Sequence, residues 1–128
     1  MNINYLTQYP WGGKTDFDAK ILSGEKIHTI RRTNRGVKPG DVLSHGNSGR
    51  GYLREEFLVN QCTGTQEIKL MFNNGEIDTA IVDGKEIDWE LIAQNDGLTK
   101  KHFTDWFKLY KVDNIFKGFI IHWTDLKY

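Results

Sequence analysis

Apolar and polar residues alternate with a period of two through most of the chain, the signature of half-buried strands. Ile3, Tyr5 and Thr7 alternate against polar neighbours over Asn2 to Thr7, and Tyr9-Pro10-Trp11-Gly12-Gly13 breaks that strand. A short helix is predicted next: Phe17 and Ile21 lie four apart on one face, Thr15 or Asp16 supplies a cap, and Gly24 suits the left-handed residue that ends it. Lys26 to Arg31 reads as a strand rich in β-branched residues, and Val37-Lys38-Pro39-Gly40-Asp41 turns into another at Val42 to His45. Phe57 to Cys62 and Gln66 to Phe72 follow, the latter with Ile68, Leu70 and Phe72 on one face and Glu67 and Lys69 on the other. Asn74-Gly75 and Asp83-Gly84 suit tight hairpin turns, so further antiparallel strands are expected at Asp78 to Val82 and Lys85 to Ile87.

The period then lengthens. Asp88 caps a helix over Trp89 to Gln94, and Thr99 caps a longer one whose Phe103, Trp106, Phe107 and Tyr110 fall at spacings of three and four, a packing stripe. Phe119, Ile121 and Trp123 alternate with Ile120, His122 and Thr124 in a last strand, apolar enough on both faces to be central. The expected class is α+β: a small curved antiparallel or mixed sheet or barrel with about three flanking helices. No linker, repeat or low-complexity tract divides the chain, so residues 1–128 are expected to form one domain.

Composition narrows the function. Hydrophobic residues at 38% and aromatics at 12% supply a core, which argues against disorder. Seventeen basic residues balance seventeen acidic ones, so bulk polycation behaviour toward DNA or membranes is not expected. Cys62 stands alone and cannot form an intramolecular disulfide, no basic-then-apolar leader opens the sequence, and no apolar run approaches the roughly 18 residues of a membrane span. A cytoplasmic setting without membrane insertion is the expectation.

The neutral total conceals an asymmetry. Lys26, Arg31, Arg32, Arg35 and Lys38 fall in one window that contains no acid. Guanidinium forks in such a cluster suit phosphate or an RNA backbone, although a solvated turn has the same composition. Strand alternation points Thr29 and Arg31 to the side of Ile27, an odd place for an arginine unless it lines a cleft. Lys26, at the helix-to-strand corner, can turn toward the same cleft. A lysine partly removed from water beside a cation becomes a base, and a neighbouring threonine hydroxyl a nucleophile. The alternative is a strand threonine between two surface cations.

Gly24, Lys26 and Arg31 after a short helix, then Lys38-Pro39-Gly40-Asp41-Val42, resemble the signature of the ASCH family, a branch of the PUA-like β-barrels. Asn95-Asp96-Gly97 before the helix bearing Phe103 and Trp106-Phe107, and Ile121-His122-Trp123-Thr124-Asp125, are similar in order and spacing to a bacterial and phage subgroup. The resemblance covers nearly the whole chain. It implies a PUA-like barrel whose cleft faces RNA or a modified ribonucleoside and which needs no cofactor. One member type hydrolyses the acetyl amide of N4-acetylcytidine with a lysine, a threonine nucleophile and an acid; others are ribonucleases or RNA-associated modules. Carried over, Lys26 falls on that lysine, Thr29 on the nucleophile, and Asp96 stands where the family has a glutamate; chemically, Lys26 then serves as base, Arg31 or nearby backbone amides hold the oxyanion, and Asp96 is the proton donor. Asn95-Asp96-Gly97 also reads as an ordinary helix-ending turn.

Other signals are weaker. His28, His45, His102 and His122 lack metal-ligand spacing; on strands, His28 and His122 read as satisfied sheet residues, one of which could line the cleft. Gly46 to Gly51 reads as a mobile loop whose Arg50 and Tyr52 are candidates to close on a ligand. Trp11 is either core or a base-stacking residue at the cleft mouth, while Arg32, Arg35 and Lys38 are the candidate backbone contacts. Zero net charge also leaves open a protein-interaction domain without nucleic-acid chemistry.

Overall fold

Two sheets and three helices make up the computed structural model, which describes residues 1–48 and 53–128; Arg50 and Tyr52 lie outside the described residues. In the smaller sheet β1 (Asn2–Leu6) lies parallel to β3 (Val42–Ser48), which pairs antiparallel with β4 (Glu55–Gln61). The larger sheet is antiparallel throughout, in the order β2 (His28–Arg31), β8 (Ile115–His122), β5 (Gly64–Asn73), β6 (Glu76–Val82), β7 (Lys85–Ile87). Both expected hairpins form, with Asn74, Gly75, Asp83 and Gly84 all at positive φ. The last strand is interior, as its two apolar faces require.

Among the described residues the sheets do not close into a barrel. Where closure would bring β2 to β1, a side chain takes the place of a backbone ladder: the Arg31 guanidinium donates to the Asn4 carbonyl at 2.9 Å. Three other expectations are corrected. β2 begins at His28, because Lys26 instead makes an isolated backbone bridge with Asp96. β3 continues through Gly46, Asn47 and Ser48, which pair with β1, so this part of the expected loop is strand. Neither Thr15 nor Asp16 caps α1 (Phe17–Ser23) through its side chain: the Thr15 hydroxyl donates to the Leu6 carbonyl, and Asp16 sits at φ 53°. Gly24 does end the helix, at φ 83°.

The other helices start as their sequences dictate. Asp88 accepts from the Glu90 N–H at the head of α2 (Trp89–Asn95), and Thr99 from the His102 N–H at the head of α3 (Lys100–Lys108). The apolar stripe of α3 packs on the larger sheet through Phe103, Phe107 and Phe116, with successive ring centroids 4.8 and 4.7 Å apart. No helix among the described residues is long and apolar enough to cross a membrane.

Gly118 lets β2 lie close against β8. A Cβ there would stand 2.5 Å from the Arg31 carbonyl oxygen and 2.9 Å from the Phe116 ring. We expect Gly118→Ala to lower stability by about 1–3 kcal/mol, read as a fall in the urea midpoint. Lys117→Ala, at the exposed neighbouring position, should stay within about 0.5 kcal/mol of wild type.

Candidate active site

A cavity of about 220 Å³ opens where the two sheets meet α1 and α3. β1 contributes Tyr5 and Leu6, β2 contributes Thr29 and Arg31, and α3 with its following turn contributes Trp106 and Tyr110. Lys26 and Asp96, from the corners after α1 and α2, complete it. The two corners are tied by backbone: the Ile27 N–H donates to the Asn95 carbonyl at 2.9 Å and the Lys26 N–H to the Lys20 carbonyl at 3.0 Å. Gly97, at φ 76°, permits the approach, since a Cβ there would stand 2.9 Å from Lys26 Cβ.

The centre of the site is a buried ion pair. Lys26 Nζ donates to Asp96 Oδ1 at 2.8 Å and to the Asp96 carbonyl at 2.9 Å, with both side chains almost fully removed from water. Burial would raise the Asp96 carboxyl, but the Lys26 ammonium and the His28 imidazole outweigh it and hold the group below its ordinary 3.8. Burial lowers Lys26 from its ordinary 10.5, against the pull of the Asp96 carboxylate. At neutral pH Asp96 is therefore a carboxylate, and Lys26 gives up its proton more readily than a surface lysine. The expected proton donor starts deprotonated, with its proton held 2.8 Å away on Lys26.

Arg31 adds a second cation. Its guanidinium lies 5.3 Å from the Tyr5 ring centroid, and its Nε is buried with no partner among the described residues. The Tyr5 hydroxyl is directed away, to His45 Nδ1 at 2.8 Å, and burial pushes its pKa up. Two cations and one carboxylate leave the cavity positive, which suits a carbonyl or an anion. Thr29 makes no side-chain hydrogen bond among the described residues, so its hydroxyl is uncommitted on the same wall.

Of the sequence-derived site residues, Lys26, Thr29, Arg31, Arg32 and Asp96 meet at this cavity. Arg32 stands over the Tyr110 ring at the rim, 5.2 Å from its centroid. Arg35 and Lys38 are exposed and outside the lining; Lys38 faces Asp41 at 3.5 Å. Trp11 is also outside the lining but is neither core nor isolated: it is 42% exposed, stacks on Tyr9 at 5.2 Å, and lies 6.2 Å from Trp106. The α3 stripe divides, with Phe103 in the core while Trp106 and Tyr110 form cavity wall. Tyr5 and the pairing of His28 with Asp96 were not read from the sequence. A phenol on the buried face of β1 was the available signal for Tyr5; His28 gave none, because its partner comes 68 residues later.

No protein-family model, curated protein or solved structure matches this chain. The meaning of the site rests on its own geometry.

We expect Lys26→Met and Asp96→Asn each to cost about 3–5 kcal/mol, because each leaves a buried group without its partner. The double variant Lys26→Met/Asp96→Asn should cost less than the two single changes summed, a coupling read by urea denaturation. The pH dependence has a defined sign. Asp96 is lowered on folding, so its stabilisation is present above the ordinary 3.8 and is lost as pH falls through the depressed folded value. Lys26 is also lowered, so the unfolded chain binds more protons between the folded value and 10.5, and stability rises with pH there. Asp96→Asn should flatten the acid limb of the stability profile.

Proposed function

We propose that the protein binds a modified pyrimidine ribonucleoside in this cavity and hydrolyses its exocyclic amide, with N4-acetylcytidine as the substrate class. The observation that carries the reading is a buried lysine–carboxylate pair opening onto the same small cavity as an uncommitted threonine hydroxyl. The volume, about 220 Å³, lies below the ~300–1,000 Å³ of pockets for larger ligands and favours a single flat ring between aromatic walls. The ASCH-like order of Gly24, Lys26, Arg31 and Asp96 supports the same reading, and with it a PUA-like arrangement of the sheets.

The chemistry closes without a cofactor. A proton passes from the Lys26 ammonium to the Asp96 carboxylate along their hydrogen bond, giving an amine and a carboxylic acid with no net change in charge. The amine takes the Thr29 hydroxyl proton as the oxygen attacks the acetyl carbonyl, and Arg31 stabilises the oxyanion. The carbon–nitrogen bond breaks, Asp96 protonates the departing N4 amine, and cytidine leaves an acetyl ester on Thr29. Water, deprotonated by Lys26 after the same internal transfer, attacks that ester; Asp96 returns a proton to Thr29, and acetic acid leaves. One dyad supplies base and acid in both halves.

Arg32 at the rim, with Arg35 close enough to act on the Arg31 charge, favours a second reading in which the nucleoside is presented within RNA. The purified protein should release acetate from N4-acetylcytidine; Thr29→Ala should lower turnover by at least about 10²-fold, and so should Lys26→Ala when assayed at a temperature where circular dichroism shows this destabilised variant still folded. Substrate unchanged after prolonged incubation overturns the hydrolase. For RNA, affinity should fall with salt, and Arg32→Ala should reduce the salt slope by about one; affinity independent of salt removes this second reading.

A further inference from the structure

Behind Asp96, outside the cavity, stands another layer of polar groups. His28 precedes Thr29 on β2, so alternation turns it to the opposite side. Its Nδ1 lies 3.3 Å from Asp96 Oδ1, and its Nε2 lies 2.6 Å from the Tyr128 hydroxyl. Asn95 Nδ2 donates to the same hydroxyl oxygen at 3.0 Å. Tyr128 is clamped by Gln66, whose Oε1 accepts from the Tyr128 N–H at 2.9 Å while its Nε2 donates to the Tyr128 carbonyl at 2.8 Å.

The donors and acceptors of this chain allow one assignment. Asp96 Oδ1 is a carboxylate oxygen and only accepts, so the hydrogen of a neutral His28 ring belongs on Nδ1; the Tyr128 oxygen accepts from Asn95, and its own hydrogen points at His28 Nε2. Nε2 is then bare, and the ring hydrogen sits on Nδ1, aimed at Asp96. The groups facing His28 agree. Burial pushes the Tyr128 hydroxyl up to about 12, so it keeps its proton, and burial also holds His28 neutral against Asp96. On β8 His122, whose ring centroid lies 5.4 Å from that of His28, is held neutral by a pKa lowered to about 3. Lys26 is the remaining charge and is already on Asp96.

We propose that His28 is a positioning residue, fixed as its Nδ1–H tautomer by Tyr128, whose N–H holds the Asp96 carboxylate in place against Lys26. Substrate does not touch it. Two donors then converge on Asp96 Oδ1, one mobile on Lys26 and one fixed on His28. By favouring the carboxylate the fixed donor keeps Asp96 a strong enough acid to protonate the departing amine, and it holds Oδ1 in line with Lys26 for the transfer. The consequence for turnover rests on the hydrolase reading; the tautomer and its effect on Asp96 do not.

The test pairs two substitutions at one position. In His28→Asn the amide nitrogen takes the place of Nδ1 and keeps the bond to Asp96; in His28→Gln the amide oxygen takes the place of Nε2 and accepts from Tyr128, with no donor left to Asp96. Two-bond proton–nitrogen spectra of the wild type should show Nδ1 protonated and Nε2 bare. Carbon-13 carboxyl titration should place the Asp96 midpoint of His28→Asn near the wild-type value and that of His28→Gln above it, with the milder Tyr128→Phe in between. Against N4-acetylcytidine, His28→Asn should stay within about threefold of wild-type kcat, while His28→Gln falls about tenfold or more at unchanged KM. Protonation at Nε2, or equal effects of the Asn and Gln variants on Asp96, overturns the proposal. The expected tautomer and titrations without any turnover uphold the proposal and remove the hydrolase reading. Turnover that is indifferent to the Asn–Gln pair overturns the proposal and leaves the hydrolase standing.

Discussion

An ammonium group cannot be taken out of water without a partner, and the placement of Lys26 sets that requirement at the centre of this protein. Its Nζ is met by both the side chain and the carbonyl of Asp96, so one residue supplies charge and hydrogen-bond geometry together. The neighbouring backbone serves the same end. The corner after α1 and the corner after α2 are drawn together by the Ile27–Asn95 bond, and Lys20 reaches across to the Gly97 carbonyl at 2.8 Å. Two short helices far apart in sequence are thereby held in the register that the ion pair needs.

A buried ion pair is weak evidence of stabilisation, since well-packed apolar residues of the same volume commonly do as well. Its retention at a cavity wall is more informative. Low polarity narrows the gap between the charged pair and its neutral form, Lys26 amine with Asp96 acid, and a dyad poised between the two can deliver a proton at one end while accepting one at the other. Thr29 and Arg31 on β2 stand where such exchange is useful, one as an uncommitted hydroxyl and one as a cation with a spare donor. Arg31 also bridges β2 to Asn4 on β1, so the same guanidinium fastens the two sheets at the point where the cavity opens.

Local chemistry was legible in the sequence, and long-range pairing was not. The Asn–Gly and Asp–Gly turns, the Asp88 and Thr99 caps, and the interior character of β8 all follow from residues within a few positions of one another. Thr29 and Arg31 share a wall because strand alternation is local, Lys26 joins them from the corner before β2, and Asp96 is reached through resemblance. Of the expected curved sheet or barrel, the described residues show two mostly antiparallel sheets that do not close, because strand pattern specifies faces and leaves open which edges meet. The cap of α1 failed for a related reason: the Thr15 hydroxyl is claimed by the Leu6 carbonyl, a partner that a cap motif does not reveal. Tyr5 meets the site through the Arg31 guanidinium against its ring, and Tyr128 through His28, 100 residues away; neither partner is encoded by a short-range pattern.

The central claim is that Lys26, Thr29 and Asp96 act as one chemical unit on an acyl group. Peptide mass spectrometry after rapid acid quench of the protein with excess N4-acetylcytidine tests it most directly. The account predicts an acetyl group on Thr29 that accumulates within a turnover and is absent from Lys26→Ala. An unmodified Thr29 at every quench time, or an acetyl group that forms equally well without the Lys26 amine, would contradict it.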